Sequence, residues 1–275
     1  MKIGLKARFS DLDEIVKLSP DFIEFQFSDK DPDYDFKPKS EFNIPCIIHL
    51  PEMWNGYLID MSNIGNENQV LPLQKSVKII QEMILKSEKF FIHFKNERNI
   101  FILHPCGQTF EKSSPKTNWH RMETLIKSLN QLRTNNSEIL VENLPPFPWH
   151  YGGQWNSNFF MDMKEINEFC RITKRKICYD SSHSKLYCNA YGKDFFEQLN
   201  IIKNNIDHIH IGDASGVDGE GIQIDEGDID FNRFFRELKW YKGTIVNEIW
   251  MGYLDDFAGF KIANKRIKKY LSHYS

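Results

Sequence analysis

Glu138–Leu144 reads EILVENL, a short apolar run that ends on an acid. Its reading decides the fold because seven other runs repeat its form. They are Lys2–Ala7 (KIGLKA), Phe22–Ser28 (FIEFQFS), Cys46–Pro51 (CIIHLP), Ile100–Cys106 (IFILHPC), Lys176–His183 (KICYDSSH), His208–Ala214 (HIHIGDA) and Thr244–Trp250 (TIVNEIW). Between them lie segments with helical spacing: Asp11–Leu18, Leu73–Lys95, Trp119–Leu132, Met163–Arg171, Tyr191–Ile202, Phe231–Leu238 and Phe257–Leu271. Strand alternating with helix implies parallel strands joined by crossover helices. Near-continuous apolar strands fit a sheet covered on both faces. Eight such units predict an α/β fold, a single-domain (β/α)8 TIM barrel over residues 1–275. No GxGxxG follows the first run, which removes the main sign of a dinucleotide fold.

The ends of the runs carry the chemistry. At or near them stand His49, His104, Glu142, Asp180 with His183, His210 and Glu248. In a parallel barrel these side chains converge on the C-terminal rim, where barrel active sites sit. Glu142, Asp180, His210 and Glu248 would supply three carboxylates and one imidazole from four successive strands. That donor set suits Mn, Co, Fe or Mg and tolerates Zn. Clustering three carboxylates without a cation is costly, which speaks for a bound ion. His208 lies two residues before His210, on the same face but deeper, and is read as structural. His49 and His104 fit three roles: hydrogen bonding to substrate, ligation of a second metal, or packing in the core.

Two segments are long for barrel loops, Glu52–Pro72 and Pro145–Phe160, and both follow strand C-termini. The second sets Trp149, His150, Tyr151 and Trp155 around a Gly152-Gly153 pair, as expected of a lid that shapes a pocket and excludes water. Trp54, Trp149 and Trp155 would offer apolar walls to sugar faces. Asp213 and Glu220, on the glycine-rich stretch after the seventh run, are read as contacts to substrate or to the ligands. The composition is that of an ordinary globular protein, 41% hydrophobic with a net charge of −3. This charge disfavours a nucleic-acid partner held through phosphates. Lys261–Lys269 is basic and is read as the solvated face of a last helix. The five cysteines form no CxxC pair, which predicts a reduced, cytoplasmic protein without disulfides. Cys106 is read as rim packing. No signal-peptide pattern opens the chain, and no apolar stretch approaches the roughly 20 residues that span a bilayer.

These pieces together resemble the xylose isomerase-like barrel superfamily, which holds sugar 3-epimerases, hydroxypyruvate- and inosose-processing enzymes and the endonuclease IV branch. The resemblance rests on HLPE at His49–Glu52, HP at His104-Pro105, VEN at Val141–Asn143, the DxxH pair Asp180 and His183, and the stretch His208–Phe231. It implies that Glu142, Asp180, His210 and Glu248 bind one metal, that Glu142 and Glu248 are also acid and base on opposite faces of a substrate carbon, and that His183 contacts a substrate oxygen. In the endonuclease IV branch, histidines matching His49 and His104 join a multinuclear zinc site. That branch has a D-x-H pair after the seventh strand where this chain has Asp218-Gly219-Glu220. The arginine usual in the epimerases after the strand-seven histidine has no counterpart here.

The expected activity is therefore a metal-dependent sugar or sugar-acid isomerase or epimerase, working by proton abstraction through a metal-stabilised enediolate. His49, His104, His183 and Glu220 would hold substrate hydroxyls. The alternatives are an endonuclease IV-like multinuclear phosphoesterase, with Zn, and a dehydratase on the same site. A barrel that binds sugar without turnover is the non-enzymatic rival. The implied partner is a small carbohydrate, with no nucleic acid or membrane, and a homodimer fits the superfamily.

Overall fold

Alternation along each strand, inward then outward, builds the centre of the molecule. A computed structural model of the chain describes residues 1–38, 41–65 and 67–274. Eight parallel strands close in the order β1-β8-β7-β6-β5-β4-β3-β2. They are β1 (Lys2–Ala7), β2 (Phe22–Gln26), β3 (Cys46–His49), β4 (Asn99–Leu103), β5 (Ser137–Glu142), β6 (Ile177–Asp180), β7 (Ile206–Ile211) and β8 (Thr244–Asn247). Each expected run contains or overlaps one of them, and the expected barrel is the fold observed.

Outward residues such as Ile23, Phe25, Ile139 and Ile209 join the large core shared with the helices. Inward residues pack among themselves: Phe22, Ile47, Ile102, Leu140, Cys178 and Val246 fill the barrel interior. Gly4 is part of that fit, because a Cβ there would stand 2.3 Å from the Phe22 ring. All five cysteines are buried and free.

The helices are α1 (Leu12–Lys17), α2 (Leu73–Ser87), α3 (Pro115–Leu129), α4 (Met163–Thr173), α5 (Ser181–Tyr191), α6 (Phe195–Ile202), α7 (Phe231–Glu237) and α8 (Leu254–Tyr274). The expected helix over Tyr191–Ile202 is in fact the junction of two. α5 ends at Gly192, whose φ of 62° suits a left-handed C-terminus, and α6 starts after Asp194, whose carboxylate caps Glu197 N–H. Leu73–Lys95 likewise stops being α-helical at Ser87 and continues as a 3₁₀ segment over Glu88–His93. α8 opens with a left-handed turn, with positive φ at Asp255, Asp256 and Phe257. No helix among the described residues is long and apolar enough to cross a membrane.

Small hairpins crown the C-terminal rim. Met53–Trp54 pairs with Tyr57–Leu58, Trp149–His150 with Gly153–Gln154, and Asp213–Ser215 with Gly219–Ile222. Both expected rim loops occupy this end, with residue 66 outside the described residues. They are tied down: Tyr151 Oη donates to the Gln69 carbonyl, and Asn158 Nδ2 donates to the Gly107 carbonyl. Asp60, buried in the first loop, accepts from Ser62 and lies 3.6 Å from the buried Arg121 of α3.

The second loop ends on Phe160, whose N–H is accepted by Glu165 Oε2 at 3.2 Å. Burial pushes the Glu165 carboxyl up to about 7. The folded chain then holds a proton that the unfolded chain releases, so this group costs stability as pH rises through that interval. Glu165→Gln keeps an acceptor oxygen and carries no charge. Its thermal midpoint should exceed that of wild type by a few degrees at about pH 8 and match it at about pH 4. Parallel melting curves that differ equally at both values would refute this.

Candidate functional site

The inward positions nearest the rim form a polar layer around the barrel axis. His49 ends β3, His104 follows β4, Glu142 ends β5, Asp180 ends β6, His210 lies near the end of β7 and Glu248 follows β8. The register places Asp180 beside His210 directly.

Glu142 is the hub. Its Oε2 lies 3.2 Å from His49 Nε2 and 3.1 Å from His104 Nε2, and its Oε1 lies 3.2 Å from His210 Nδ1 and 3.5 Å from His183 Nδ1. His210 Nδ1 is also 2.8 Å from Glu248 Oε2. Glu142, Asp180, His210 and Glu248 each offer a ligand atom within 4.8 Å of the others. Glu142 Oε1, His210 Nδ1 and Glu248 Oε2 are buried yet make no hydrogen bond, although they face one another. Buried polar atoms are normally paired. Donor atoms that converge without pairing are the geometry a cation would satisfy, and the set of three carboxylates and one imidazole fits a hard or borderline divalent ion.

The electrostatics agree. Burial first, then the facing carboxylates Glu248 and Glu142, outweigh the His183 ring and push Asp180 up to about 7. Burial would raise Glu248 too, but Lys6 and His210 hold it well below the usual carboxylate range. Lys6, one residue inside the end of β1, donates to Glu248 Oε1 and to Gln26 Oε1 at 3.2 Å, and stands 3.6 Å from Glu24. Glu24, in the middle of β2, is wholly buried one step below the rim. Its Oε2 accepts from His208 Nε2 at 2.8 Å and from His210 Nε2 at 3.1 Å.

Neither Lys6 nor Glu24 was expected. Both lie inside their runs rather than at the ends. The signal that marks them is polar residues at period two, Lys6 on β1 and Glu24 with Gln26 on β2, on the face that elsewhere carries the interior.

His183, the last residue of the run Lys176–His183, sits in the first turn of α5. Asp180 is the helix's N-cap and accepts the His183 N–H at 2.6 Å, which explains the DxxH spacing. His183 Nδ1 donates to the Asn143 carbonyl at 2.8 Å, and its Nε2 lies 3.6 Å from Glu220. His104 Nδ1 lies 3.2 Å from Glu52, whose carboxyl that ring pulls down to about 2 against the effect of burial.

A cavity of about 570 Å³ opens beside the cluster, lined by Glu52, His104, Trp149, His183, Glu220 and Trp250, among others. Another, of about 690 Å³, reaches Lys6 and Glu248 from the β1 side. Trp149 thus meets the cavity as expected. Trp155 is buried with Leu58, Val70 and Cys106, and Trp54 packs against the main core, so neither lines these cavities. Trp250, which the sequence reading passed over, takes the wall position. Gly221 makes room for it with a φ of 63° and no Cβ, which would stand 2.3 Å from the indole. Asp213 corrects another expectation: its buried carboxylate accepts the N–H groups of Ala214, Gly227 and Ile229 and holds the glycine-rich loop rather than facing a ligand.

Comparison with known proteins agrees with the barrel. The model of the xylose isomerase-like TIM barrel family matches residues 41–270. An uncharacterised protein of Methanocaldococcus jannaschii is 30% identical over 169 residues, which is 60% of this chain and 60% of that protein. A solved structure described as a D-tagatose 3-epimerase-like protein superposes with a TM-score of 0.67 at 18% identity, covering 100% of this chain and 98% of that one. Endonuclease IV from Thermus thermophilus superposes with a TM-score of 0.59 at 16% identity, covering 98% of this chain and 100% of that one.

If the four converging donors take an ion, it should raise stability by mass action. Manganese at about 100 times its Kd should add about 2.7 kcal/mol to the unfolding free energy. Asp180→Asn, which keeps a good N-cap for α5, should lose most of that gain. Equal shifts for both proteins in a thermal-unfolding titration would place the ion elsewhere.

Proposed function

Because the chain belongs to the xylose isomerase-like TIM barrel family, we propose that it is a divalent-metal-dependent isomerase or epimerase of a sugar or sugar acid. The observation that carries this reading is the convergence of unpaired ligand atoms from Glu142, His210 and Glu248, with Asp180 beside them, next to a cavity lined by His104 and His183, which both approach Glu142. Glu142, Asp180, His210 and Glu248 would hold the ion. When bound, it would polarise a carbonyl and the neighbouring hydroxyl of the substrate and offset the charge of an enediolate.

The chain's own residues do the rest. Glu142 and Glu248 reach the centre from β5 and from the end of β8, with two strands between them around the barrel. One removes the proton from the hydroxyl-bearing carbon next to the carbonyl. The other returns a proton to the opposite face, or the first returns it to the neighbouring carbon. Glu248 is 34% exposed, whereas Glu142 is buried. Lys6 keeps Glu248 ionised and oriented between turnovers. His183, braced by the Asn143 carbonyl, presents Nε2 to the cavity and with Glu220 and His104 can bind hydroxyls. Trp149 and Trp250 supply faces for the sugar ring.

A second reading, a metal-dependent phosphoesterase, draws on one specific observation. His49 and His104 both lie within 3.2 Å of Glu142 Oε2, a grouping that further zinc ions can use. The walls of the neighbouring cavity count against it. Glu52, Asp218 and Glu220 line it, and among the described residues no Lys or Arg does.

The test is solvent-deuterium exchange into a panel of ketoses and keto acids by the manganese-loaded protein. Deuterium should enter the carbon next to the carbonyl, and Glu142→Gln and Glu248→Gln should each slow this by about 10²–10⁴-fold. Two or three zinc ions per chain with release of phosphate from phosphoesters, and no exchange, would replace this reading by hydrolysis.

A further inference from the structure

We propose that Glu24 is a positioning residue for the metal centre: it fixes which nitrogen of His210 faces the ion, and His208 with Thr244 holds Glu24 in place from below. The inference rests on the metal reading above only for its consequence, not for the hydrogen-bond arrangement itself.

Glu24 sits beside an apolar layer of Ile47, Ile102, Leu140, Cys178 and Val246. A carboxylate and two imidazoles in such a layer pack at greater cost than aliphatic side chains would. They therefore need a use. Glu24 is wholly buried, and its Oε2 meets Nε2 of His208 and Nε2 of His210 at 2.8 and 3.1 Å. Lys6 Nζ, 3.6 Å from Oε1, supplies the countercharge.

Beside this countercharge Glu24 stands as a carboxylate, which only accepts. Both Nε2 atoms must therefore carry hydrogen. For His208 the remaining Nδ1 accepts from the Thr244 hydroxyl at 2.7 Å, which fixes that ring at both ends. For His210 the remaining Nδ1 has no hydrogen bond and points between Glu142 Oε1 and Glu248 Oε2. In the neutral ring its lone pair faces the carboxylates with which it would share an ion. Turning the ring over would break the bond to Glu24 and bring hydrogen into the centre. A carboxylate behind a metal-binding histidine sets tautomer and orientation and strengthens the ligand, and its loss typically costs about 10–100-fold in metal affinity.

Glu24→Gln tests this directly. The amide either keeps its oxygen at the Oε2 position, which removes the negative charge behind His210 and turns its NH2 toward Lys6, or turns over and demands a bare Nε2 on a ring. Three measurements are made on wild type, Glu24→Gln and Glu24→Asp. They are thermal unfolding without metal, Co²⁺ titration followed by visible absorption, and long-range ¹H–¹⁵N spectra of the histidine rings. Glu24→Gln should remain folded and bind Co²⁺ about 10–100-fold more weakly, with a changed absorption band. Glu24→Asp, which can only accept, should recover part of the loss. A folded Glu24→Gln with wild-type affinity and absorption overturns the proposal. The ring spectra need no variant and decide the case if Glu24→Gln does not fold. A His210 Nε2–H protected from exchange in wild type supports the arrangement, and a bare Nε2 overturns it. Should wild type bind no divalent ion at all, the proposed function fails, while the same spectra still decide whether Glu24 orients His210.

Discussion

Carboxylates from several strands arrive at one height on the barrel axis, and the rest of the structure answers to that constraint. Glu142, Asp180 and Glu248 face one another across a few ångströms, with Glu24 just below. Like charges so close, and so poorly hydrated, must be neutralised, protonated or paired. Each solution is present. Lys6 bridges Glu248 and Glu24, His210 stands between Glu24, Glu142 and Glu248, and Asp180 is pushed toward its protonated form. The protein side chains do not complete the job, since one oxygen each of Glu142, Glu248 and Glu24 stays unbonded. The residual charge at the rim is what a divalent ion would balance.

The barrel makes this concentration tolerable by layering. Below the polar layer the interior is filled by side chains such as Phe22, Ile100 and Leu140, with Gly4 leaving space for the Phe22 ring. That floor keeps water out from beneath, so the electrostatics of the site act in a medium of low polarity. Above it, the hairpin loops are pinned to one another and to the scaffold by bonds such as Tyr151 to Gln69 and Asp213 to its own loop. Open space therefore remains where Trp149, Trp250, Glu220 and His183 meet the cavity.

Much of this was legible in the chain. Apolar runs alternating with helical spacing gave the eight strands, and the polar residues ending those runs proved to be neighbours. What escaped did so for physical reasons. Lys6 and Glu24 lie inside runs, where attention to the ends overlooks them, although inward alternation placed them on the same face as the ligands. α5 escaped because Ser181–Tyr191 carries little apolar periodicity; it is held by the Asp180 cap and by burial against the β7 hairpin. Trp155 and Asp213 are residue types that suit a ligand site, yet their surroundings are decided by tertiary packing and by backbone N–H groups that local sequence does not display.

One atom separates the two chemistries that this arrangement suggests. Glu142 Oε2 is the neighbour shared by His49 and His104, and Glu142 Oε1 faces His210. An ion seated on His49, His104 and Oε2 would leave a cation on each oxygen of the carboxylate, and two cations weaken it as a base toward carbon. Proton transfer by Glu142 is thus stronger where the two histidines act as hydrogen-bonding groups, and ions seated on both oxygens suit it to ligation. His104 is already engaged on its other nitrogen by Glu52, whose carboxylate the ring holds ionised. That pairing braces the ring much as Glu24 braces His210, but it also gives a protonated His104 two carboxylates to bridge. Burial opposes that proton, and Glu52 and Glu142 overcome it, holding His104 well above the ordinary imidazole range. Held between Glu52 and Glu142, the ring is placed to bridge two carboxylates, which is the hydrogen-bonding role that the single-ion reading gives it.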